Sequence, residues 1–181
     1  MVEEAPVGYR VPVTLMAVAA AAAVMAAEIP RDMDAAAVPN YRVVRKGVAA
    51  GGTPSAAALA GLTALGFRTV IDLRTAQEGT AEEKAAATAA GLRYVGVPVT
   101  PATFRLEDVL EVAKVLDDPS ALPVLVHCSS SNRVGAVWAV LRAREGADRE
   151  QALREGEAAG LKSEAMREAV RRVLDGPPPV P

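Results

Sequence analysis

The chain has 181 residues, a formal charge of −2, 51% hydrophobic residues, one Cys and one His. This length fits one domain with a real core, and the near-neutral charge argues against a nucleic-acid-binding protein, which would normally carry a basic excess. A single Cys excludes an intrachain disulfide framework and a Cys-cluster metal site, and a single His excludes a His-rich metal site.

Residues 1–27 are predicted to be a separate segment. Val11 to Ala27 is an uncharged run of 17 residues, which is short and Ala-rich for a membrane-spanning helix. An apolar centre followed by small residues is typical of a secretory signal peptide. We therefore predict a signal peptide or an N-terminal membrane anchor at 1–27, membrane association through residues 11–27, and a periplasmic or secreted protein. If the segment is instead an Ala-rich helix, we expect a cytoplasmic protein.

Next come a Pro-bearing linker at 28–38, one folded domain at 39–175 and a Pro-rich tail at 176–181. Strand-like and helix-like patterns alternate through the domain. Strands are predicted at 41–50 (a strand or a hairpin), 67–73, 92–97 and 122–126. Helices are predicted at 53–65, 80–91 and 106–116, after residue 133, from 148 onward and at 163–174.

Several helix starts carry capping signals. Thr53 supplies an N-cap followed by Pro54 at the first helical position, and Thr80 with Glu83 matches a capping box. Alternating strands and helices favour the α/β class, with a central, mostly parallel sheet of about four to five strands flanked by helices.

The residues most suited to catalysis, His127 to Arg133, follow the last predicted strand at the point where it leads into a helix. In α/β folds, ligands bind beyond the carboxyl ends of the strands. Loop N–H groups and the helix N-terminus make an anion site, to which Arg133 adds a planar guanidinium that matches phosphate oxygens. The same field stabilises a thiolate at Cys128, which predicts nucleophilic attack on phosphorus. His127 is expected to orient the loop. The predicted phosphate-binding loop consists of Ser129, Ser130, Ser131, Asn132 and Arg133.

These residues resemble the Cys-dependent protein-tyrosine/dual-specificity phosphatase superfamily, above all the bacterial branch with the phosphatase-like domain of beta-lactamase-hydrolase-like proteins. Besides His127-Cys128-x4-Arg133, the resemblance rests on AGGTPS at 50–55, GFRTVIDLR at 66–74, GLRY at 91–94, VPV at 97–99, and Trp138. It implies a phosphatase-like domain that hydrolyses phosphoric monoesters through a phosphocysteine, with no metal or organic cofactor. The expected partner is a phosphorylated protein or a small phosphate ester, with no nucleic acid.

The loop departs from the superfamily pattern in three ways. Four residues separate Cys from Arg instead of five. Ser131 stands where the loop normally has Gly, so a left-handed backbone there would be strained. Val134 replaces the Ser or Thr that usually helps the thiolate to leave, a role that one of the three loop serines could take over.

The general acid is not evident, because residues 85–106, which hold it in relatives, contain no Asp or Glu. The candidates include Glu78, Asp108 and Glu157. Since a phenolate leaves more readily than an alkoxide, a missing acid favours phosphotyrosine or other aryl phosphates. Asp72 and Arg74 are expected to support the site as a structural pair.

Two other functions fit parts of the pattern. A rhodanese-like sulfurtransferase can use a Cys-x4-Arg loop with a Cys persulfide. Asp72-x-Arg74 together with Glu78 also faintly resembles the Asp-x-Arg motif and the Glu of that family. The missing acid and Val134 also fit a phosphate-binding pseudophosphatase.

Overall fold

The computed structural model describes residues 28–176, so the predictions for residues 1–27 and for 177–181 of the tail lie outside the described residues. Within them, no helix combines the length and apolarity that crossing a membrane requires. The strands are β1 (Arg42–Arg45), β2 (Val48–Gly51), β3 (Thr69–Asp72), β4 (Arg93–Gly96) and β5 (Val124–His127). The helices are α1 (Ala56–Gly61), α2 (Thr80–Ala89), α3 (Leu106–Leu116), α4 (Asn132–Arg144), α5 (Arg149–Ala158) and α6 (Glu164–Asp175), with a 3-10 turn at Ala76–Glu78.

The five strands form one sheet in the order β1-β2-β5-β3-β4. The β1–β2 pair is an antiparallel hairpin, and every other pair is parallel. The predicted α/β class with a mostly parallel sheet of four to five strands is confirmed. The apolar strand β5 lies at the centre, and its last residue, His127, pairs with Gly51 on one side and Asp72 on the other. The carboxyl ends of three strands therefore meet where the Cys-containing loop begins.

Two of the predicted helix caps do not form. The N-cap of α1 is Ser55, whose hydroxyl accepts the N–H of Ala58, and not Thr53. The Thr53 hydroxyl instead donates to the carbonyl of Cys128 at 3.3 Å. Helix α1 also ends at Gly61, earlier than predicted, because the chain turns there toward β3.

The predicted capping box at the start of α2 does not form either. The N-cap is Gly79, with φ of +81°, and Thr80 is already helical. Glu83 is buried and contacts Arg74 instead of the cap. The last two helices begin where they are predicted, since Asp148 caps α5 by accepting the N–H of Gln151 and Ser163 caps α6 by accepting that of Met166.

Small residues allow the helices around α4 to approach closely. A Cβ built on Gly135 would lie 2.4 Å from the carbonyl oxygen of Gly156, and one on Gly156 would lie 2.7 Å from that of Gly135. Trp138 is buried in the core beside them, as expected of a packing residue. This close packing fixes α4, and with it the predicted phosphate-binding loop at its N-terminus.

Candidate active site

The loop from Cys128 to Arg133 joins the buried end of β5 to the first turn of α4. Cys128 is only 1% exposed, and its N–H donates to the carbonyl of Gly51 at 3.3 Å. Ser131 adopts φ of +70°, which confirms the prediction that a non-glycine residue occupies a left-handed position there. The shortened loop thus still makes the sharp turn that an anion cradle needs.

Unpaired backbone donors collect at this turn. The first N–H groups of a helix have no intrahelical acceptor, and within residues 28–176 no acceptor outside the helix takes those of Asn132 and Arg133. The N–H of Ser129 is likewise without an acceptor in that part of the chain. Together with the dipole of α4, these donors favour a bound anion.

Arg133 is held in place by a carboxylate, two carbonyls and a hydroxyl. Its Nη1 donates to Glu78 Oε2 at 2.8 Å and to the carbonyls of Leu73 and Val99, both at 3.3 Å. Its Nη2 donates to Glu78 Oε1 at 2.6 Å and to Ser129 Oγ at 2.7 Å. The guanidinium therefore presents its Nη edge to Glu78, and its Nε takes no part in these bonds.

The pair between Arg133 and Glu78 also sets their charge states. The pKa of Glu78 is held well below its usual range, chiefly by the hydrogen bonds from Arg133, and further by those from Thr75 and Ser129. The pKa of Arg133 is raised, first by its hydrogen bonds to Glu78 and further by the charge of Cys128. Arg133 therefore lies close enough to the predicted nucleophile for the two groups to interact electrostatically.

Two of the three loop serine hydroxyls are bonded to other groups. The Ser129 hydroxyl donates to Glu78 Oε1 at 2.7 Å, and the Ser131 hydroxyl donates to the carbonyl of Ala159 at 2.8 Å. Ser130 accepts a hydrogen bond from Asn40 through its carbonyl. The Ser129 and Ser131 hydroxyls therefore have other partners, whereas the Ser130 hydroxyl has no hydrogen bond among the described residues.

A buried charged cluster lies under the loop and includes the predicted supporting residues. Asp72 accepts hydrogen bonds from Arg74 Nε and Nη2 at 3.0 and 2.8 Å and from the Tyr94 hydroxyl at 2.8 Å. Arg74 also contacts Glu83, whose Oε1 lies 2.6 Å from Nε2 of His127. Neither ring nitrogen of His127 has a hydrogen bond of acceptable geometry among the described residues.

Electrostatics in this cluster are dominated by Arg74. Burial alone would raise the pKa of Asp72, but hydrogen bonds from Arg74 and the charge of His127 lower it below its usual value. The pKa of Tyr94 is raised, first by burial and then by its hydrogen bond to Asp72. Asp72 is therefore an anionic group, and it shares the guanidinium of Arg74 with Glu83.

Asp72, Glu83 and His127 bring three ligand atoms within 4.8 Å of one another, the arrangement of a possible cation site. Arg74 Nη2 contacts both carboxylates and already supplies the positive charge there. The 2.6 Å between Nε2 and Oε1 is a hydrogen-bonding distance and leaves little room for an ion ligated by both atoms at about 2.0–2.2 Å. An ion-pair cluster describes these residues better than a metal site.

The candidate acids Glu78, Asp108 and Glu157 lie in different parts of the structure. Glu78 touches the loop, whereas Asp108 caps α3 by accepting the N–H of Arg105 at 3.1 Å, and Glu157 pairs with Arg167. The segment after β4 presents the hydroxyls of Thr100 and Thr103 to each other at 2.9 Å. Of the three candidates, only Glu78 is in contact with the loop, and its low pKa keeps it ionised near neutral pH.

Sequence reasoning missed two members of the buried cluster, Glu83 and Tyr94. Thr80-x-x-Glu83 is a local capping signal, and nothing in the sequence shows that the carboxylate turns inward. Tyr94 precedes the end of an edge strand, where an aromatic residue is ordinary. Only the sheet register, which sets β4 beside β3, brings its hydroxyl to Asp72.

The sequence model of one protein family, described as DSP-PTPase phosphatase fused to NAD+ kinase, matches residues 33–172. A beta-lactamase hydrolase-like protein of Agrobacterium fabrum is 30% identical to the chain over 100 residues, which cover 52% of this chain and 23% of that protein. The chain thus spans about a quarter of the length of this curated relative.

Solved structures also share the fold. P. aeruginosa TpbA is 25% identical with a TM-score of 0.60, over 78% of this chain and 88% of that chain. A Cys-to-Ser variant of TpbA was solved in complex with pTyr, and it is 24% identical with a TM-score of 0.59, over 83% and 90% of the two chains. The core catalytic domain of the PP-IP phosphatase SIW14 from S. cerevisiae is 14% identical with a TM-score of 0.59, over 80% and 86%. At that identity the likeness concerns the fold alone.

Proposed function

The chain belongs to the family of DSP-PTPase phosphatases described as fused to NAD+ kinase, and from that premise we propose that it hydrolyses phosphoric monoesters through a phosphocysteine at Cys128. The predicted resemblance to Cys-dependent protein-tyrosine/dual-specificity phosphatases is confirmed by the family match and by the curated relative. One observation carries the proposal: Cys128 directly follows β5 and Arg133 lies in the first turn of α4, at a turn where the N–H groups of Ser129, Asn132 and Arg133 have no acceptor among residues 28–176.

In the proposed first step, the Cys128 thiolate attacks phosphorus in line with the ester oxygen. An S–P bond forms and the P–O ester bond breaks, so the leaving oxygen departs with the bonding pair. Arg133 and the loop N–H groups balance the charge on the phosphoryl oxygens. In the second step water attacks phosphorus, the S–P bond breaks, and orthophosphate and the thiolate are released.

The proposed substrates are phosphotyrosine or other aryl phosphates. A leaving alkoxide needs a proton from a nearby acid, whereas a phenolate is stable enough to leave with less help. The carboxylate in contact with the loop, Glu78, is ionised and bound to Arg133, so it has no proton to give. The solved complex of TpbA with pTyr supports the same substrate class.

Hydrolysis of para-nitrophenyl phosphate by the full chain tests the proposal. Cys128→Ser should abolish turnover, and Arg133→Ala should lower both kcat and the affinity for inorganic phosphate. Arg93→Ala is the matched control, because Arg93 is also paired with a carboxylate, that of Asp118, but on the exposed surface away from the loop. Rapid quenching with ³²P-labelled substrate should leave the label on Cys128. Normal turnover by Cys128→Ser would refute the mechanism.

The same preparations distinguish the two other functions. A sulfurtransferase would form thiocyanate from thiosulfate and cyanide while leaving the phosphate ester intact. A pseudophosphatase would bind inorganic phosphate without turning over any ester. Equal kcat/KM values on phosphoserine and phosphotyrosine peptides would contradict the aryl preference alone.

A further inference from the structure

The phosphate loop is bound to the turn between α5 and α6, here called the brace and defined as residues 159–163. The brace lies about 30 residues beyond the loop in the sequence, yet it contacts two consecutive loop residues, Ser131 and Asn132. Four hydrogen bonds join them: Ser131 Oγ to the Ala159 carbonyl (2.8 Å), Asn132 Nδ2 to Ser163 Oγ (2.9 Å), and the N–H groups of Lys162 and Ser163 to Asn132 Oδ1 (2.7 and 3.0 Å).

Both ends of the Asn132 amide are used in these bonds. Its oxygen accepts twice and its nitrogen donates once, all to the brace. The side chain is therefore directed away from the anion site, and only the backbone N–H of Asn132 remains to meet a phosphate oxygen. A residue first predicted from its place in the loop thus acts there through its backbone, while its side chain serves another purpose.

Ser131 depends on the brace for space. It is fully buried and has a left-handed backbone that L-residues other than glycine seldom adopt. A Cβ built on Gly160 would lie 2.7 Å from the Cβ of Ser131 and 2.8 Å from its Oγ and carbonyl oxygen. The loop can therefore carry Ser at this position because the brace has Gly opposite it.

We propose that the brace is a positioning element of the phosphate loop, and that Asn132 and Ser131 are positioning residues whose side chains do not touch the substrate. Loop N–H groups bind an oxyanion well only when they are already aimed at it, because turning them during the reaction would offset the gain. The brace holds the loop N–H groups in that orientation. This loop needs such support because it is one residue shorter than the superfamily pattern and has Ser131 where that pattern has Gly. This inference rests on the proposed phosphatase function.

A matched pair of glycine substitutions tests the proposal. Gly160 and Gly146 both have positive φ, +121° and +100°, so an alanine strains the backbone at either position. Only at Gly160 does the new Cβ press on Ser131, because a Cβ on Gly146 meets nothing within 4 Å. Gly160→Ala should weaken inhibition by orthovanadate and lower kcat/KM by about tenfold or more, a loss equivalent to about 1.4 kcal/mol, whereas Gly146→Ala should leave both nearly unchanged.

Rescue separates positioning from general damage. Adding Ser131→Gly to Gly160→Ala removes two of the three close contacts, and it should restore much of the vanadate affinity. Equal vanadate affinity in Gly160→Ala and Gly146→Ala, with both proteins folded, would overturn the proposal. So would a double variant that is no better than Gly160→Ala alone.

If Gly160→Ala does not fold, Asn132→Ala decides the question. Its control is Asp118→Ala, which likewise removes a side-chain acceptor of a backbone N–H, that of Ser120, from a turn remote from the loop. Asn132→Ala should lose about tenfold in vanadate affinity at an unfolding temperature like that of the control, and unchanged affinity would refute the role. A wild-type chain that neither binds vanadate nor hydrolyses esters would refute the proposed function itself.

Discussion

Glu78→Gln tests how far the site depends on the carboxylate that holds Arg133. Glu78 accepts hydrogen bonds from both Nη atoms of Arg133, at 2.6 and 2.8 Å, and one from Ser129 at 2.7 Å. The glutamine side chain has the same size but only one acceptor atom, and its NH2 group would face a guanidinium N–H. One charge-assisted bond is therefore lost, and the other is weakened.

The expected loss follows from the strength and exposure of the pair. Hydrogen bonds to charged groups contribute about 1.5–3 kcal/mol. The Glu78 side chain is 32% exposed, so solvent weakens the interaction. We therefore expect a loss near the low end, about 2 kcal/mol, which corresponds to a decrease of about 30-fold in kcat/KM.

The pH dependence shows whether Glu78 positions Arg133 or donates a proton. Its pKa is lowered from 4.5 by Arg133, so the stabilisation by the pair is fully present above the unfolded value and is lost only as pH falls through the lower folded value. Across about pH 5.5 to 8, the ratio of wild-type to variant kcat/KM should therefore stay constant. Steady-state assays at fixed ionic strength measure it, with the exposed Glu82→Gln on α2 as control.

A general acid would behave differently in the same assays. Its removal would slow phenyl phosphate, a poor leaving-group substrate, far more than para-nitrophenyl phosphate, and it would eliminate the basic limb of the pH profile. A positioning role predicts similar losses on both substrates. Unequal losses with a vanished basic limb would refute our assignment of Glu78.

Two further predictions concern stability. Glu83→Gln replaces the carboxylate that contacts Arg74 and His127 in the buried cluster, so the free energy of unfolding in urea should fall by about 3 kcal/mol. A loss below about 0.5 kcal/mol would show that these contacts do not stabilise the fold. Gly135→Ala would put a Cβ 2.1 Å from the backbone nitrogen of Leu161 and should lower Tm by several degrees, whereas Gly61→Ala, in open space on α1, should raise it slightly. Equal Tm changes would contradict the close packing of α4.

The sheet and the phosphate loop could be predicted because their signals are local. Strand β5 is a continuous apolar run, which is typical of a strand buried on both faces. The polar residues that follow it, with Arg133 at the next helix, indicate an anion site without any knowledge of the tertiary structure. The strain at Ser131 was also predictable, because the sharp turn needs a left-handed residue wherever the loop lies in the fold.

The remaining parts of the site depend on contacts between distant segments. Glu83 matches a capping residue in the sequence, and burial against Arg74 and His127 overrides that signal. Gly160 is an unremarkable loop glycine until the fold puts it against Ser131. Glu78 was a candidate acid, and its role changes only when Arg133 is seen to bind it.

The segment after β3 connects the buried cluster to Arg133. Arg74, at the centre of the cluster, donates from Nη1 to the carbonyl of Glu78 at 3.2 Å, and the Glu78 side chain binds Arg133. The carbonyl of Leu73, which directly precedes Arg74 in the chain, also accepts from Arg133. The cluster is also connected to Cys128, because His127 belongs to the cluster and directly precedes Cys128 in the chain. A substitution in the cluster should therefore change the positions of both Arg133 and Cys128. These two connections hold the site in place although the chain has no second histidine to act as a base.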